Sequence, residues 1–282
     1  MKQIKLKKII IIGGSGFVGK SLKDYCKRKS FKVLSYSRGE KKNFIKIKKL
    51  PYCDYIFYCL NSKKISDSLK LFNHFKHLIK ENFKSTKILF FSSGAVYGRN
   101  NKGKKFKESD NINISNINKL DGYKKEYAKE KISLEKEFTK LASLGFKVSI
   151  IRGFTFYGKY ILKYKYLISQ IINSIKYNKK IYIHNSNVYR SYMHSDDMCR
   201  WLLKIINYSS NKCPIFNVGS DKSISIKNLV KFFNKKYDAK IIVKKELLEK
   251  TDFYIPSTSL VRKKLKLKNT INFNHAIKTL IN

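Results

Sequence analysis

The sequence predicts an α/β fold with a doubly wound parallel sheet and a smaller carboxyl-terminal lobe. Short apolar segments alternate with helix-like segments through the first third of the chain, and a glycine-rich turn follows the first of them. Strands buried on both faces of a parallel sheet are continuous apolar runs, and helices form the crossovers between them. The pattern is looser in the second half, so we expect a domain over residues 1–155 and a partly interleaved lobe over residues 156–282.

The predicted elements follow one another in a regular order. Strands are expected at residues 8–12, 31–36, 55–60, 87–91 and 146–151. Helices are expected at residues 17–29, 65–80, 122–144, 163–177, 196–207 and 225–237. In the helix 122–144, Asp121 is the expected N-cap and Gly145 is the expected stop signal. The Lys- and Asn-rich stretch 99–119 is predicted to be a surface loop.

Positive charge is the most unusual feature of the composition. Lys and Arg total 62 against 19 Asp and Glu, which gives a formal net charge of +43. Seven of the basic residues are arginines, and the lysines are spread along nearly the whole chain. A surface that binds nucleic acid concentrates its basic residues on one face or stripe. We therefore expect a lysine-coated, solvated surface and no nucleic-acid partner.

The five cysteines indicate a reducing compartment. Their number is odd, and the chain has neither a CxxC pair nor a Cys–His spacing that suits zinc, so we expect no disulfide and no metal site. The apolar run 9–12 is too short for a signal peptide, and no stretch reaches the length of a membrane span. These features predict a cytoplasmic protein without a membrane partner.

The glycine-rich turn has the pattern of a dinucleotide-binding loop. Its sequence, GGSGFVG, follows a predicted strand and opens a predicted helix, which is the context that the pattern requires. Gly13 permits the tight turn, Gly16 lets the backbone approach a pyrophosphate, and Gly19 lets helix and strand pack closely. Phe17 and Val18 complete the loop, and the N-terminus of the helix favours a bound anion.

The end of the second predicted strand indicates which dinucleotide binds. NAD-specific folds place an acidic residue there to hold the adenosine ribose, whereas this chain has Ser37 and Arg38. A hydroxyl and a guanidinium suit a 2′-phosphate, which a carboxylate would repel. We therefore expect NADP as the cofactor, with NAD as the alternative.

A tyrosine and a lysine one helical turn apart are candidates for acid–base chemistry. Tyr127 and Lys131 share one face of the predicted helix 122–144, and a nearby cation stabilises a phenolate. The spacing alone is a weak signal, because about four YxxxK matches are expected by chance in so lysine-rich a chain. Three occur, beginning at Tyr25, Tyr127 and Tyr208. The face of Tyr127 also carries apolar residues, as that of a core aromatic would.

A hydroxyl at the end of another strand gives the Tyr127 match more weight. Ser93 follows the predicted strand 87–91, and ligands of open α/β sheets bind at the carboxyl ends of the strands. Ser93 and Tyr127 are therefore expected to bind the same substrate oxygen.

These motifs resemble those of the extended short-chain dehydrogenase/reductases, in particular the NAD-dependent epimerase/dehydratase family. The matches run in order almost from end to end: GGSGFVG, SSGAVYG, YAKEKISLEK, IRGFTFYG, RSYMHSDD, FNVGS and YIPSTS. The resemblance implies a Rossmann-type NAD(P)-binding domain and a substrate-binding lobe. It also implies that Tyr127 is the acid–base, that Lys131 binds the nicotinamide ribose and tunes the tyrosine, and that Ser93 orients the substrate.

Departures from the family's motifs narrow the expected reaction. The family's 4,6-dehydratases carry an Asp-Glu pair after the hydroxyl residue, whereas Gly94 and Ala95 follow Ser93 here. A resemblance to GDP-fucose synthase would require a cysteine at Ala95. What remains is hydride transfer at one sugar carbon, by 4-keto reduction or 4-epimerisation, and the NADP-like Ser37 and Arg38 favour reduction.

The resemblance also implies a nucleotide-sugar substrate, a role in the synthesis of surface-polysaccharide precursors, and a homodimer. It places Arg190 on the diphosphate of the substrate and Thr155 beside the substrate, whereas we interpret His194 and Asp196 as structural residues.

A second phosphate-binding arginine, expected before Tyr254, has no clear counterpart, since the nearby basic residues are Lys244, Lys245 and Lys250. Two other functions therefore stay open. One is an NADPH-dependent reductase of a small carbonyl compound without a nucleotide. The other is a non-catalytic dinucleotide-binding protein with a basic interaction surface, which the set Ser93, Tyr127 and Lys131 disfavours.

Overall fold

A computed structural model describes residues 6–39, 43–62, 64–163, 166–183, 187–244 and 251–282. Its strands are β1 (Lys8–Ile12), β2 (Lys32–Tyr36), β3 (Tyr55–Tyr58), β4 (Lys87–Ser93), β5 (Lys147–Gly153), β6 (Phe156–Tyr157), β7 (Ile181–Ile183), β8 (Val188–Ser191), β9 (Met193–His194), β10 (Ile215–Val218), β11 (Ser223–Ser225), β12 (Ile241–Val243) and β13 (Asp252–Tyr254). Its helices are α1 (Phe17–Arg28), α2 (Ile65–Leu78), α3 (Ile114–Asn118), α4 (Gly122–Ser143), α5 (Leu167–Lys176), α6 (Ser195–Ile205), α7 (Ile226–Tyr237), α8 (Ser259–Leu265) and α9 (Phe273–Ile281).

The central sheet confirms the predicted doubly wound α/β fold. It has six strands in the order β10-β5-β4-β3-β1-β2, and β1 to β5 pair in parallel. Because β1 pairs with β2 on one side and with β3 on the other, the winding direction reverses at β1. In such sheets ligands bind in the crevice at this reversal, outside the carboxyl ends of the strands.

An aromatic cluster fixes α4 against this sheet. The ring of Phe138, on α4, stacks on that of Phe90 with centroids 4.4 Å apart and meets the edge of the Tyr58 ring at 5.2 Å. All three side chains are at most 1% exposed, and burial of each such side chain contributes about 1.5–3 kcal/mol. The same helix carries Tyr127 and Lys131, so this packing sets their position over the sheet.

The loop predicted for residues 99–119 is interrupted by the short helix α3. The Asn113 side chain accepts a hydrogen bond from the Ser115 backbone N–H, which caps the helix, and Ile117 is fully buried. Asp121 stands at the N-cap position of α4, but its side chain makes no capping hydrogen bond. Gly145 follows the end of α4 with φ of +90°, as expected of a stop signal.

The chain forms two compact units. One contains Met1–Gly98, Ile112–Gly153 and Cys199–Phe216, and the other contains Arg99–Asn111, Phe154–Met198 and Asn217–Asn282. The assignment of cofactor binding to residues 1–155 and of substrate binding to residues 156–282 stays a prediction. No helix in the described part of the chain is long and apolar enough to cross a membrane, and the described residues contain no His, Cys, Asp or Glu cluster that suits a metal.

Candidate active site

The glycine-rich loop packs against the ends of β2 and β3, the two strands that flank β1. The backbone N–H groups of Gly13 and Gly14 donate to the Tyr36 carbonyl oxygen at the end of β2, at 2.8 and 3.0 Å. Gly13 has φ of +100°, and a Cβ there would lie 2.7 Å from the backbone of Cys59, just after β3. This turn therefore requires glycine on both conformational and steric grounds.

Packing within the protein requires glycine at position 19 but not at position 16. A Cβ at Gly19 would lie 2.2 Å from the Gly13 carbonyl oxygen, so close packing of α1 on the loop excludes any side chain. At Gly16 the φ is −73°, which any residue adopts, and among the described residues a Cβ would meet only the Gly13 oxygen, at 3.6 Å. Internal packing does not require glycine at position 16, which fits a position that a ligand approaches.

Ser37 and Arg38 follow β2 beside this loop. Ser37 is buried, and its Oγ would lie 3.7 Å from a Cβ built on Gly14. Arg38 is exposed, and its Nη1 donates a long hydrogen bond of 3.5 Å to the Ser62 hydroxyl. A buried hydroxyl and an exposed guanidinium are thus presented next to the glycine loop.

Lys131 is buried against the end of β3. Only 2% of the residue is exposed, and its Nζ lies 3.5 Å from the Leu60 carbonyl oxygen. Its ammonium is 5.4 Å from the centroids of the Tyr127 and Phe90 rings. Burial lowers the pKa of Lys131, and nearby Glu130, Cys59 and Glu135 oppose this shift.

Tyr127 is half-buried beside the Lys131 ammonium. One turn earlier, the exposed Tyr123 stacks on it with ring centroids 5.8 Å apart. A cation at this distance over the ring stabilises negative charge on the phenolate oxygen, which is what an acid–base tyrosine requires.

Ser93 is the last residue of β4 and is 7% exposed. Its Oγ accepts a hydrogen bond from the Ala95 N–H at 3.2 Å, which begins a 3-10 turn over Gly94–Tyr97. Helix α4 packs against both β4 and this turn. Ser93 and Tyr127 therefore belong to neighbouring elements of the same unit.

Sequence inspection missed a carboxylate in this region. Glu130 is 2% exposed, and its Oε1 accepts hydrogen bonds from the Ser62 N–H at 3.1 Å and the Ser68 hydroxyl at 2.5 Å. It lies three residues after Tyr127 and four before the buried Leu134, so helical periodicity could have placed it on the buried face.

In the second unit, Arg190 forms an ion pair within its own sheet. Arg190 lies on β8, and its Nη2 donates to Asp252 Oδ2 of β13 at 2.7 Å. Its Nη1 donates to the backbone oxygens of Tyr189 and Asp252 at 2.8 and 3.2 Å, and the guanidinium lies 5.6 Å from the Tyr254 ring centroid. The contact with Asp252 was not foreseen, because β8 and β13 are far apart in the chain.

The other candidate residues of this unit also contact residues within the same unit. The Thr155 backbone oxygen accepts from the Met193 N–H. His194 Nδ1 accepts from the Asp196 N–H at 3.1 Å at the start of α6. The Lys244 Nζ lies 4.8 Å from the Tyr182 ring centroid.

Lys245 and Lys250, the other basic residues considered for a second phosphate contact, lie outside the described residues.

Comparison with protein families identifies the chain. The model of the NAD dependent epimerase/dehydratase family matches residues 63–219, which is more than half of the sequence. The chain belongs to this family. The predicted family is thereby confirmed, and members of the family are NAD-dependent enzymes. No curated protein sequence matches the chain significantly.

Solved structures share the fold over nearly the whole length. UDP-glucose 4-epimerase from Thermotoga maritima, solved with UDP-glucose, is 17% identical with a TM-score of 0.75, and the match covers 97% of each chain. RMD from Pseudomonas aeruginosa, complexed with NADPH, is 16% identical with a TM-score of 0.78, over 98% of this chain and 97% of that one. dTDP-glucose 4,6-dehydratase from Bacillus anthracis, in complex with NAD, is 14% identical with a TM-score of 0.74, over 98% and 95%. At these identities the likeness concerns the fold, and the last two proteins were solved with different cofactors, NADPH and NAD.

Proposed function

We propose that this member of the family is an NAD(P)-dependent oxidoreductase or epimerase that transfers hydride at one carbon of a nucleotide sugar. The observation that carries the proposal is the buried Lys131 ammonium 5.4 Å from the Tyr127 ring. The glycine loop at the end of β1 and Ser93 at the end of β4 lie at the same edge of the sheet.

Each residue has a defined part in the reductive direction. When bound, a reduced nicotinamide cofactor would supply the hydride that reduces the substrate carbonyl. Tyr127 donates its phenolic proton to the oxygen of that carbonyl, and the Ser93 hydroxyl orients the same oxygen. The Lys131 ammonium stabilises the phenolate that remains on Tyr127. The oxidative direction reverses these steps, and an epimerase would use both directions in turn.

For the cofactor we propose NADP. The exposed Arg38 guanidinium and the buried Ser37 hydroxyl stand beside the glycine loop, and charge-assisted hydrogen bonds from arginine suit a 2′-phosphate. Gly16 leaves room for the pyrophosphate to approach the loop.

The proposal is tested by incubating the protein with NADPH and a panel of 4-keto nucleotide sugars. Consumption of NADPH with formation of one reduced sugar supports a reductase. In a parallel incubation with NADP⁺ and 4-hydroxy nucleotide sugars, interconversion of two epimers without net reduction of the cofactor supports an epimerase. Binding of NADPH with no turnover of any nucleotide sugar would contradict the proposal.

The Arg190–Asp252 pair favours a second candidate, an NADPH-dependent reductase of a small carbonyl compound. Asp252 Oδ2 is 2.7 Å from Arg190 Nη2, so a carboxylate already neutralises the guanidinium that the resemblance assigns to a diphosphate. Inhibition by nucleoside diphosphates separates the two candidates, because only a nucleotide-sugar enzyme binds them in its substrate site. A role in surface-polysaccharide synthesis and a homodimeric state stay predictions.

A further inference from the structure

Two adjacent residues of α4 hold the same segment after β3. Lys131 Nζ lies 3.5 Å from the Leu60 carbonyl oxygen, and Glu130 Oε1 accepts from the Ser62 N–H at 3.1 Å. Both side chains are only 2% exposed. A buried cation and a buried anion thus lie at one short stretch of backbone, beside the tyrosine of the candidate site.

The Glu130 carboxylate is only half satisfied by hydrogen bonds. Its Oε1 accepts from the Ser62 N–H and from the Ser68 hydroxyl. Its Oε2 is buried and has no hydrogen-bond partner among the described residues. A buried carboxylate oxygen without a partner is destabilising unless a nearby positive charge compensates it.

Among the described titratable groups that act on Lys131, Glu130 is the main counter-charge. Glu135, also on α4, forms an ion pair with Arg152 of β5. Its Oε2 lies 2.8 Å from Arg152 Nη2. Burial raises the pKa of Cys59, after β3, to about 12 even though Lys131 lowers it, so this thiol is neutral at physiological pH.

Among the described residues, the Glu130 charge acts on the phenols of Tyr58 on β3 and of Tyr123 on α4. Burial of Tyr58 and partial desolvation of Tyr123 raise the pKa of each phenol, and the Glu130 charge raises it further. Both phenols are therefore neutral near physiological pH. The Arg38 guanidinium also acts on Tyr58, and it contacts Ser62 rather than the carboxylate.

We propose that Glu130 is a positioning residue that supplies the counter-charge for the Lys131 ammonium beside Tyr127. This inference rests on the proposed function, because it assumes that the charge on Lys131 serves cofactor binding and the acid–base tyrosine. The direction of the effect follows from simple electrostatics. Burial favours the neutral amine, and a neighbouring carboxylate favours the ammonium.

The test is the pH dependence of NADPH binding, followed by fluorescence from neutral to alkaline pH. Affinity falls when Lys131 loses its proton, so the fall follows the pKa of Lys131. In Glu130→Gln the amide oxygen still accepts from Ser62, but the negative charge is gone. We expect the midpoint of the fall to move down by about one pH unit, and the alkaline limb of kcat/KM to move with it.

Two further variants separate charge from structure. Glu130→Asp keeps the charge and should return the midpoint most of the way to that of the wild type. Glu137→Gln removes a carboxylate from an exposed ion pair of the same helix, with Lys140, and should leave the midpoint unchanged. An equal shift in Glu137→Gln, or no shift in a folded Glu130→Gln, would overturn the proposal.

A last variant gives an independent result if Glu130→Gln does not fold. Lys131→Arg carries a cation that does not titrate in this range, so its alkaline fall in affinity should disappear. If that fall persists, Lys131 is not the titrating group and the inference is wrong. A wild-type protein that binds no NADPH or NADH would instead contradict the proposed function.

Discussion

Arg152 and Glu135 form a buried ion pair that ties β5 to α4. Arg152 Nη2 lies 2.8 Å from Glu135 Oε2, and the two side chains are 5% and 7% exposed. The Ser92 hydroxyl also donates to Glu135 Oε1 at 2.5 Å. Burial alone would lower the pKa of Arg152, but the hydrogen bonds and charge of Glu135 raise it above its ordinary value.

The first prediction concerns this pair. Glu135→Gln should destabilise the protein by about 3–5 kcal/mol, because it leaves the Arg152 charge buried without a counter-charge. Urea unfolding measures the change. Glu137→Gln, which breaks the exposed pair with Lys140, is the matched control and should change the free energy of unfolding by less than about 1 kcal/mol. Similar losses in both variants would contradict the structural role of the buried pair.

The second prediction tests Tyr127 as the acid–base. Tyr127→Phe removes the phenolic proton and keeps the ring beside Lys131, so kcat should fall by about 10²- to 10⁴-fold while NADPH binds as before. Steady-state kinetics and a fluorescence titration measure the two effects. Tyr25→Phe is the control, since Tyr25 begins another YxxxK match, on α1. Normal turnover by Tyr127→Phe would rule out this mechanism.

Local patterns in the sequence account for most of the first unit. Apolar runs predict β1 and β4 because both strands are buried on both faces, and periodicity predicts α4. Helix α3 could not be predicted from the composition of residues 99–119, which is rich in Lys and Asn. Its buried residue, Ile117, is a single apolar side chain between polar neighbours.

Contacts between distant segments could not be predicted. The glycine loop and the Tyr127–Lys131 pair each lie within one short segment, so their patterns are visible in the sequence. Contacts such as Glu130 with Ser62, or Arg190 with Asp252, depend on which segments become neighbours after folding. No periodic pattern in the sequence indicates which distant segments become neighbours.

The third prediction concerns cofactor preference. Arg38→Asp replaces the exposed guanidinium with a carboxylate, which attracts ribose hydroxyls and repels a 2′-phosphate. The ratio of kcat/KM for NADPH to that for NADH should fall by about 10- to 100-fold, because a charge-assisted hydrogen bond contributes about 1.5–3 kcal/mol. Arg28→Asp, which alters an exposed arginine on α1, controls for the change in net charge. An unchanged ratio in Arg38→Asp would contradict the assignment of NADP.

The fourth prediction separates the two roles of glycine in the loop. Gly16 has an ordinary extended backbone, and a Cβ there makes only a 3.6 Å contact. Gly16→Ala should therefore keep the melting temperature of the wild type, yet lower NADPH affinity by about tenfold or more because the methyl group occupies space that the pyrophosphate approaches.

Gly19→Ala should instead lower stability by about 1–3 kcal/mol, since its methyl group would lie 2.2 Å from the Gly13 carbonyl oxygen and α1 would have to move. Thermal unfolding measures the stability of each variant, and NADPH titration measures its affinity for the cofactor. If Gly16→Ala binds NADPH as tightly as the wild type, the pyrophosphate does not lie against this loop.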